Sequence, residues 1–128
     1  MIKHFEIILY VSDQEKSKLF YSAILKQAPS LDVPGMTEFV LAGNLKLGLM
    51  PNHGIAKIIT PAMSHPSSGS GIPRCELYLL VDDLESVFQV AIANGAKEVS
   101  KISDRDWGDR VGYVADFDGH VIAFAERI

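Results

Sequence analysis

The sequence has one cysteine, one tryptophan and no apolar run of membrane-spanning length. A lone thiol, Cys75, excludes an internal disulfide and a thiolate zinc site. It lies inside an apolar run, where a small buried hydrophobe is expected rather than a nucleophile. Crossing a bilayer takes about 20 consecutive apolar residues, and nothing here approaches that. Met1 leads directly into Ile-Lys-His-Phe-Glu, without the charged and apolar regions of a signal peptide. These absences set the expectation of a cytoplasmic chain with no membrane partner. Positive charge is also scarce. Twelve Lys and Arg against 16 Asp and Glu give a net charge of −4, with no basic stripe, so nucleic acid is not an expected partner. What remains is 128 residues, 48% hydrophobic and 22% charged, the make-up of one globular domain with a single core.

What is present is a repeat. Glu6-Ile-Ile-Leu-Tyr-Val-Ser-Asp13 recurs as Glu76-Leu-Tyr-Leu-Leu-Val-Asp-Asp83, with Glu6 aligned on Glu76 and Asp13 on Asp83. Each copy reads as a strand buried on both faces and broken by one charge. Each runs into a capping-box pattern, Ser12-Asp-Gln-Glu15 and Asp82-Asp-Leu-Glu85. Helical stripes follow, Leu19, Phe20, Ala23 and Ile24 in the first copy and Leu84, Val87, Phe88, Ala91 and Ile92 in the second. Three short strands complete each copy, over 30–33, 37–41 and 45–50 and then over 97–102, 111–116 and 121–126. Pro34-Gly35, Gly43-Asn44 and Asp118-Gly119 serve as turns. The fold class expected is α+β: two tandem βαβββ modules, 1–50 and 74–128. Residues 51–73, rich in Gly, Ser and Pro, form a flexible connector that does not bury itself, apart from a possible short element at 55–59.

The first-strand carboxylates Glu6 and Glu76 are the chemical centre of this pattern. Buried, they need partners. Arg74, Arg110 or a lysine could pair with them; they could share a proton and act as acid or base; or they could form an anionic floor for a cationic ligand. Ile8 and Tyr10 share the Glu6 face, and Tyr78 and Leu80 the Glu76 face, an apolar aromatic lining suited to a small molecule. Trp107 stands in the polar loop Ser103-Asp-Arg-Asp-Trp-Gly-Asp-Arg110, where a ligand contact, a lid over the core or a dimer contact would each account for it. The aspartates of that loop, Asp104, Asp106 and Asp109, lack the spacing of a calcium site and read as solvated charges. His120 reads as part of the Asp118-Gly119 hairpin, and His4, His53 and His65 as surface residues.

Val11-Ser-Asp-Gln-Glu-Lys-Ser17 with Phe20-Tyr21, Val81-Asp-Asp83, Trp107-Gly-Asp-Arg110 and Asp116-Phe-Asp-Gly-His120, placed in paired βαβββ modules, resemble the vicinal-oxygen-chelate superfamily. It includes glyoxalases, extradiol dioxygenases, fosfomycin-resistance enzymes and bleomycin-resistance proteins. The resemblance covers nearly the whole chain and implies curved half-barrel sheets with an open cleft, and commonly a homodimer. Swapped modules would draw Glu6 from one subunit and Glu76 from the other. It also implies ligand positions for a metal on the first and last strand of each module. Here those hold Glu6, Gly48, Glu76 and Ala123, a set with no imidazole and two positions reduced to almost nothing. The expectation is therefore no metal and no cofactor, with space vacated at Gly48 and Ala123. The function expected is binding of a hydrophobic small molecule, cationic where the Glu6 and Glu76 floor attracts it, by Ile8, Tyr10, Gly48, Tyr78, Trp107, Arg110 and Ala123. The alternative is a glyoxalase-like lyase or isomerase with Glu6 and Glu76 as catalytic bases, or holding a divalent metal.

Overall fold

In the computed structural model, which describes residues 1–128, the repeat becomes two units with one topology. The chain divides into Met1–Ser70 and Gly71–Ile128. The first unit runs β1 (Phe5–Val11), α1 (Gln14–Leu25), β2 (Leu31–Val33), β3 (Met36–Ala42), β4 (Leu45–Pro51) and α2 (Asn52–Ile59), then a 3-10 turn at Pro66–Ser68. The second runs β5 (Glu76–Leu80), α3 (Leu84–Ala93), β6 (Lys97–Asp104), β7 (Asp109–Ala115) and β8 (Val121–Arg127). Sheet orders are β1-β4-β3-β2 and β5-β8-β7-β6, so the two βαβββ motifs superimpose element for element. In each, the first strand pairs parallel with the last and the other pairs are antiparallel. A helix after the first strand returns the chain to the end where a parallel partner can start.

One face of each sheet is covered. Leu9 and Val11 of β1 are buried with Phe39, Leu47 and Leu49 and with Phe20, Tyr21 and Ile24 of α1. The same pleat side of the second sheet buries Leu77, Ile122, Phe124 and Val114 with Leu84, Val87, Phe88 and Ala91 of α3. There Gly112 admits the Phe88 ring: a Cβ at that position would lie 2.7 Å from both Phe88 Cε2 and Ile102 Cγ1. The other face is open. Ile8 is 40% exposed, Tyr10 and Tyr78 38%, and Leu80 51%, so the first strands are not buried on both faces as their sequence suggests. Each unit supplies helices for one side only.

Other expectations shift. The α1 stripe is Ser17, Phe20, Tyr21 and Ile24, and Leu19 faces out. The caps are Asp13 and Asp83, each carboxylate accepting the N–H three residues on, Lys16 and Ser86, one position later than the capping boxes place them. Cys75 is exposed, because β5 starts one residue after it. The connector is less open than its composition suggests. α2 occupies its first part, burying Ile55 and Ala56, and belongs to the first unit, which extends to Ser70.

Candidate functional site

On the open face of the first sheet, Glu6, Ile8 and Tyr10 of β1 lie beside Lys46 and Gly48 of β4, with Glu38 of β3 opposite Gly48. Glu6 turns its carboxylate onto the glycine: a Cβ on Gly48 would lie 2.5 Å from Glu6 Oε2 and 3.2 Å from Ile8 Cγ1. The volume expected to stand vacant at Gly48 is therefore filled by Glu6. That Oε2 is closed off from solvent and has no hydrogen-bond partner. Burial first, and then a hydrogen bond to Glu38 and its charge, raise the Glu6 carboxyl from its ordinary value, against the pull of Lys46. Lys46 Nζ stands 3.6 Å from Glu38 Oε1. Sequence reading missed Glu38 because a bulge between Val40 and Ala42 shifts the register and brings it opposite Gly48.

Glu76, the repeat-mate of Glu6, is exposed opposite Val121, so its expected burial fails. The open face of the second sheet is organised around Tyr78 instead. Ala123, opposite both Tyr78 and Tyr113, is fully buried with Val111 and Ala125 under Tyr113 and leaves no vacant space. The Tyr78 hydroxyl donates to Asp109 Oδ2 at 2.6 Å and accepts from Trp107 Nε1 at 2.8 Å. Arg127 Nη1 donates to Asp109 Oδ1 at 2.9 Å. Asp109 is 1% exposed, which overturns its reading as a solvated loop charge, while Asp104 and Asp106 are exposed. The hydrogen bond from Tyr78, then those of Arg127 and its charge, lower the Asp109 carboxyl against the effect of burial. Tyr78 is raised, by burial and then by Asp109, with Trp107 opposing. Arg110 lies on the α3 side, one residue out of step with Asp109, and pairs with Glu85 at 3.5 Å. Its expected place among the ligand-facing residues does not hold.

His120 closes the β7–β8 hairpin as expected. Asp116 accepts the backbone N–H of Asp118 and of His120, and His120 Nδ1 lies 2.9 Å from Asp116 Oδ2. Burial pulls the imidazole down, but the hydrogen bond and charge of Asp116 outweigh it and raise the pKa. Asp116, Asp118 and His120 bring ligand atoms within 4.8 Å of one another, and these backbone bonds account for the arrangement as a turn.

The metal associated with the resemblance does not fit the four positions. Gly48 and Ala123 offer no donor atom, Glu6 fills the space above Gly48, and an ammonium stands among the first unit's carboxyls. Transition metals favour imidazole or thiolate alongside carboxylate, and neither is present at these positions.

Two mixed sheets of this topology, each with its first strand closed in parallel on its last, define a glyoxalase-type protein. A sequence model of the Glyoxalase-like domain matches residues 4–128, and the chain belongs to that family. An uncharacterised protein of Mycobacterium bovis is 30% identical over 115 residues, 88% of this chain and 75% of that protein. A glyoxalase-related enzyme from Fulvimarina pelagi is similar in structure, with a TM-score of 0.82 and 21% identity over 99% of this chain and 89% of the other. A glyoxalase/bleomycin resistance protein/dioxygenase family enzyme from Burkholderia phytofirmans gives a TM-score of 0.81 and 16% identity over 96% and 97%. These two likenesses concern the fold alone.

Proposed function

We propose that this protein binds a small hydrophobic molecule, without the metal that the resemblance implies. The observation that carries the reading is Trp107. It is 57% exposed, yet its indole is fixed by a hydrogen bond to Tyr78, whose hydroxyl is fixed in turn by buried Asp109. A large ring held rigid and left uncovered is a contact surface with little ordering entropy left to lose. Ile8, Tyr10 and Leu80 give the open sheet faces the same apolar character. The suggestion of a cationic ligand loses force, because Lys46 already stands 3.6 Å from Glu38 beside Glu6 and offsets the negative charge of that face.

The test is thermal stability of chelator-stripped protein with Ni²⁺, Mn²⁺ or Zn²⁺ and with a panel of aromatic compounds. An aromatic compound is expected to raise Tm, and Trp107→Ala to abolish the rise. Stabilisation by a metal, lost in Glu6→Gln and Glu76→Gln, would overturn the reading.

One observation favours a second reading, a glyoxalase-like lyase or isomerase. The Glu6 carboxyl, raised by burial and by the neighbouring Glu38, is shifted in the direction that suits a general base. Such a base exchanges deuterium into α-hydroxycarbonyl compounds in D₂O, and Glu6→Gln would stop the exchange. A homodimer is expected in either case, and a monomer in sedimentation equilibrium would dismiss it.

A further inference from the structure

We infer that the open face of the second sheet takes a planar aromatic molecule bearing an anionic group, with Arg127 receiving the anion and Asp109 positioning the rings. This rests on the proposed role of Trp107 and adds the charge of the ligand's polar end.

Asp109 opens β7 opposite Arg127 of β8. An ionised carboxylate that is only 1% exposed must be saturated from within, and it is: Tyr78 takes one oxygen and Arg127 the other. The phenol O–H donates its hydrogen bond to Asp109, so the oxygen's lone pairs are free to accept from Trp107. Two consequences follow for a ligand. The one polar atom of Trp107 is committed inside the protein, so its exposed surface recognises by ring contact and not by hydrogen bonding. Arg127 has used one nitrogen on Asp109, while its side chain is 71% exposed. A guanidinium carries five N–H donors in a flat fork, so its outer edge still matches a carboxylate with two parallel hydrogen bonds.

Of the charges flanking Trp107 in its loop, the exposed Asp106 is negative and Arg105 is positive. Arg105 lies over the Tyr113 ring, 5.1 Å from its centroid, on the face that Tyr113 shares with Tyr78. Asp109 is covered and cannot meet a cation. The exposed carboxylate on this face, Glu76, sits opposite Val121 at the far end of β8 from Arg127, about 20 Å away at the usual strand rise. The cation fixed in place beside the Trp107–Tyr78 pair is Arg127, held there by Asp109.

The test uses 2-naphthoate, 2-naphthylmethylammonium and 2-naphthalenemethanol, which share a ring and differ in charge. The chain's one tryptophan gives one indole N–H signal, so ¹H–¹⁵N spectra of the full chain report directly on Trp107. Naphthoate is expected to shift that signal and to bind about tenfold more tightly than the ammonium probe. Arg127→Gln should remove this preference, and Arg127→Lys, which keeps a cation beside Asp109, should retain most of it. Asp109→Asn should move and broaden the indole signal before any probe is added, which a residue serving stability alone would not do in a variant that melts cooperatively. Equal binding of all three probes, or an unchanged preference in Arg127→Gln, would overturn the anionic subsite and leave hydrophobic binding at Trp107 standing. If no probe moves the indole, both readings fail.

Discussion

Gly48, on the open face of the first sheet, and Gly112, on the helix-covered face of the second, are each approached closely by a side chain, but what approaches differs. At Gly48 it is the flexible end of Glu6, and at Gly112 it is the packed ring of Phe88. Gly112→Ala is therefore expected to lower stability by about 1–3 kcal/mol through overpacking, measured by urea unfolding. Gly48→Ala should displace the Glu6 carboxylate at smaller cost and bring its titration back toward normal, visible in carboxyl ¹³C shifts. The raised Glu6 carboxyl also has a pH signature. An acid whose pKa rises on folding holds more protons folded than unfolded. Stability thus falls as pH climbs from the unfolded value of about 4.5 through the raised folded one, and levels off above it. Glu6→Gln should remove that part of the slope. Asp109, lowered on folding, contributes the opposite way: its stabilisation is present above the unfolded value and is lost as pH falls through the folded one.

At the scale of elements, the helices depend on Asp13 and Asp83, whose carboxylates satisfy otherwise unpaired N–H groups. Asp13→Ala and Asp83→Ala should each cost about 1 kcal/mol, and each Tm would report it. The strands and helices were legible because hydrophobic period and turn residues fix them almost independently of context. β1 coincides with the apolar run that predicts it, and the remaining boundaries differ by a few residues at most. The site was less legible. Glu6 and Trp107 announce themselves as a charge in an apolar run and a ring in a charged loop. Glu38 and Asp109 look like ordinary surface charges until pairing across strands sets them beside Gly48 and Tyr78. Arg110 failed for the complementary reason: one step along a strand reverses the face, and Asp109 holds the inward step. The exposure of Glu76 was also invisible, since identical places in a repeat do not guarantee identical cover.

At the scale of the whole molecule, the repeat has kept its topology and let its chemistry diverge. The first unit carries a carboxyl pair with a lysine, and the second an aromatic network around a buried aspartate. The same apolar pleat side meets a helix in both, so the core constrains one face of each sheet and leaves the other free to change. Substitution of Leu80 to a polar residue should accordingly leave Tm nearly unchanged while weakening an aromatic ligand on the second sheet, separable by calorimetry. Leu9→Ala or Leu77→Ala should cost about 2–5 kcal/mol.

The parallel closure of each sheet also orders events in time. Phe5 pairs with Leu45 and Glu76 with Val121, so the first strand of each unit finds its neighbour only after about 40 further residues have been made. On a ribosome β1 emerges early and waits, open to proteases, until β4 clears the exit tunnel, and β5 repeats the wait for β8. Arrested chains of increasing length should gain protease resistance in two steps, one at the completion of each unit, with the long-range pairings setting the pace.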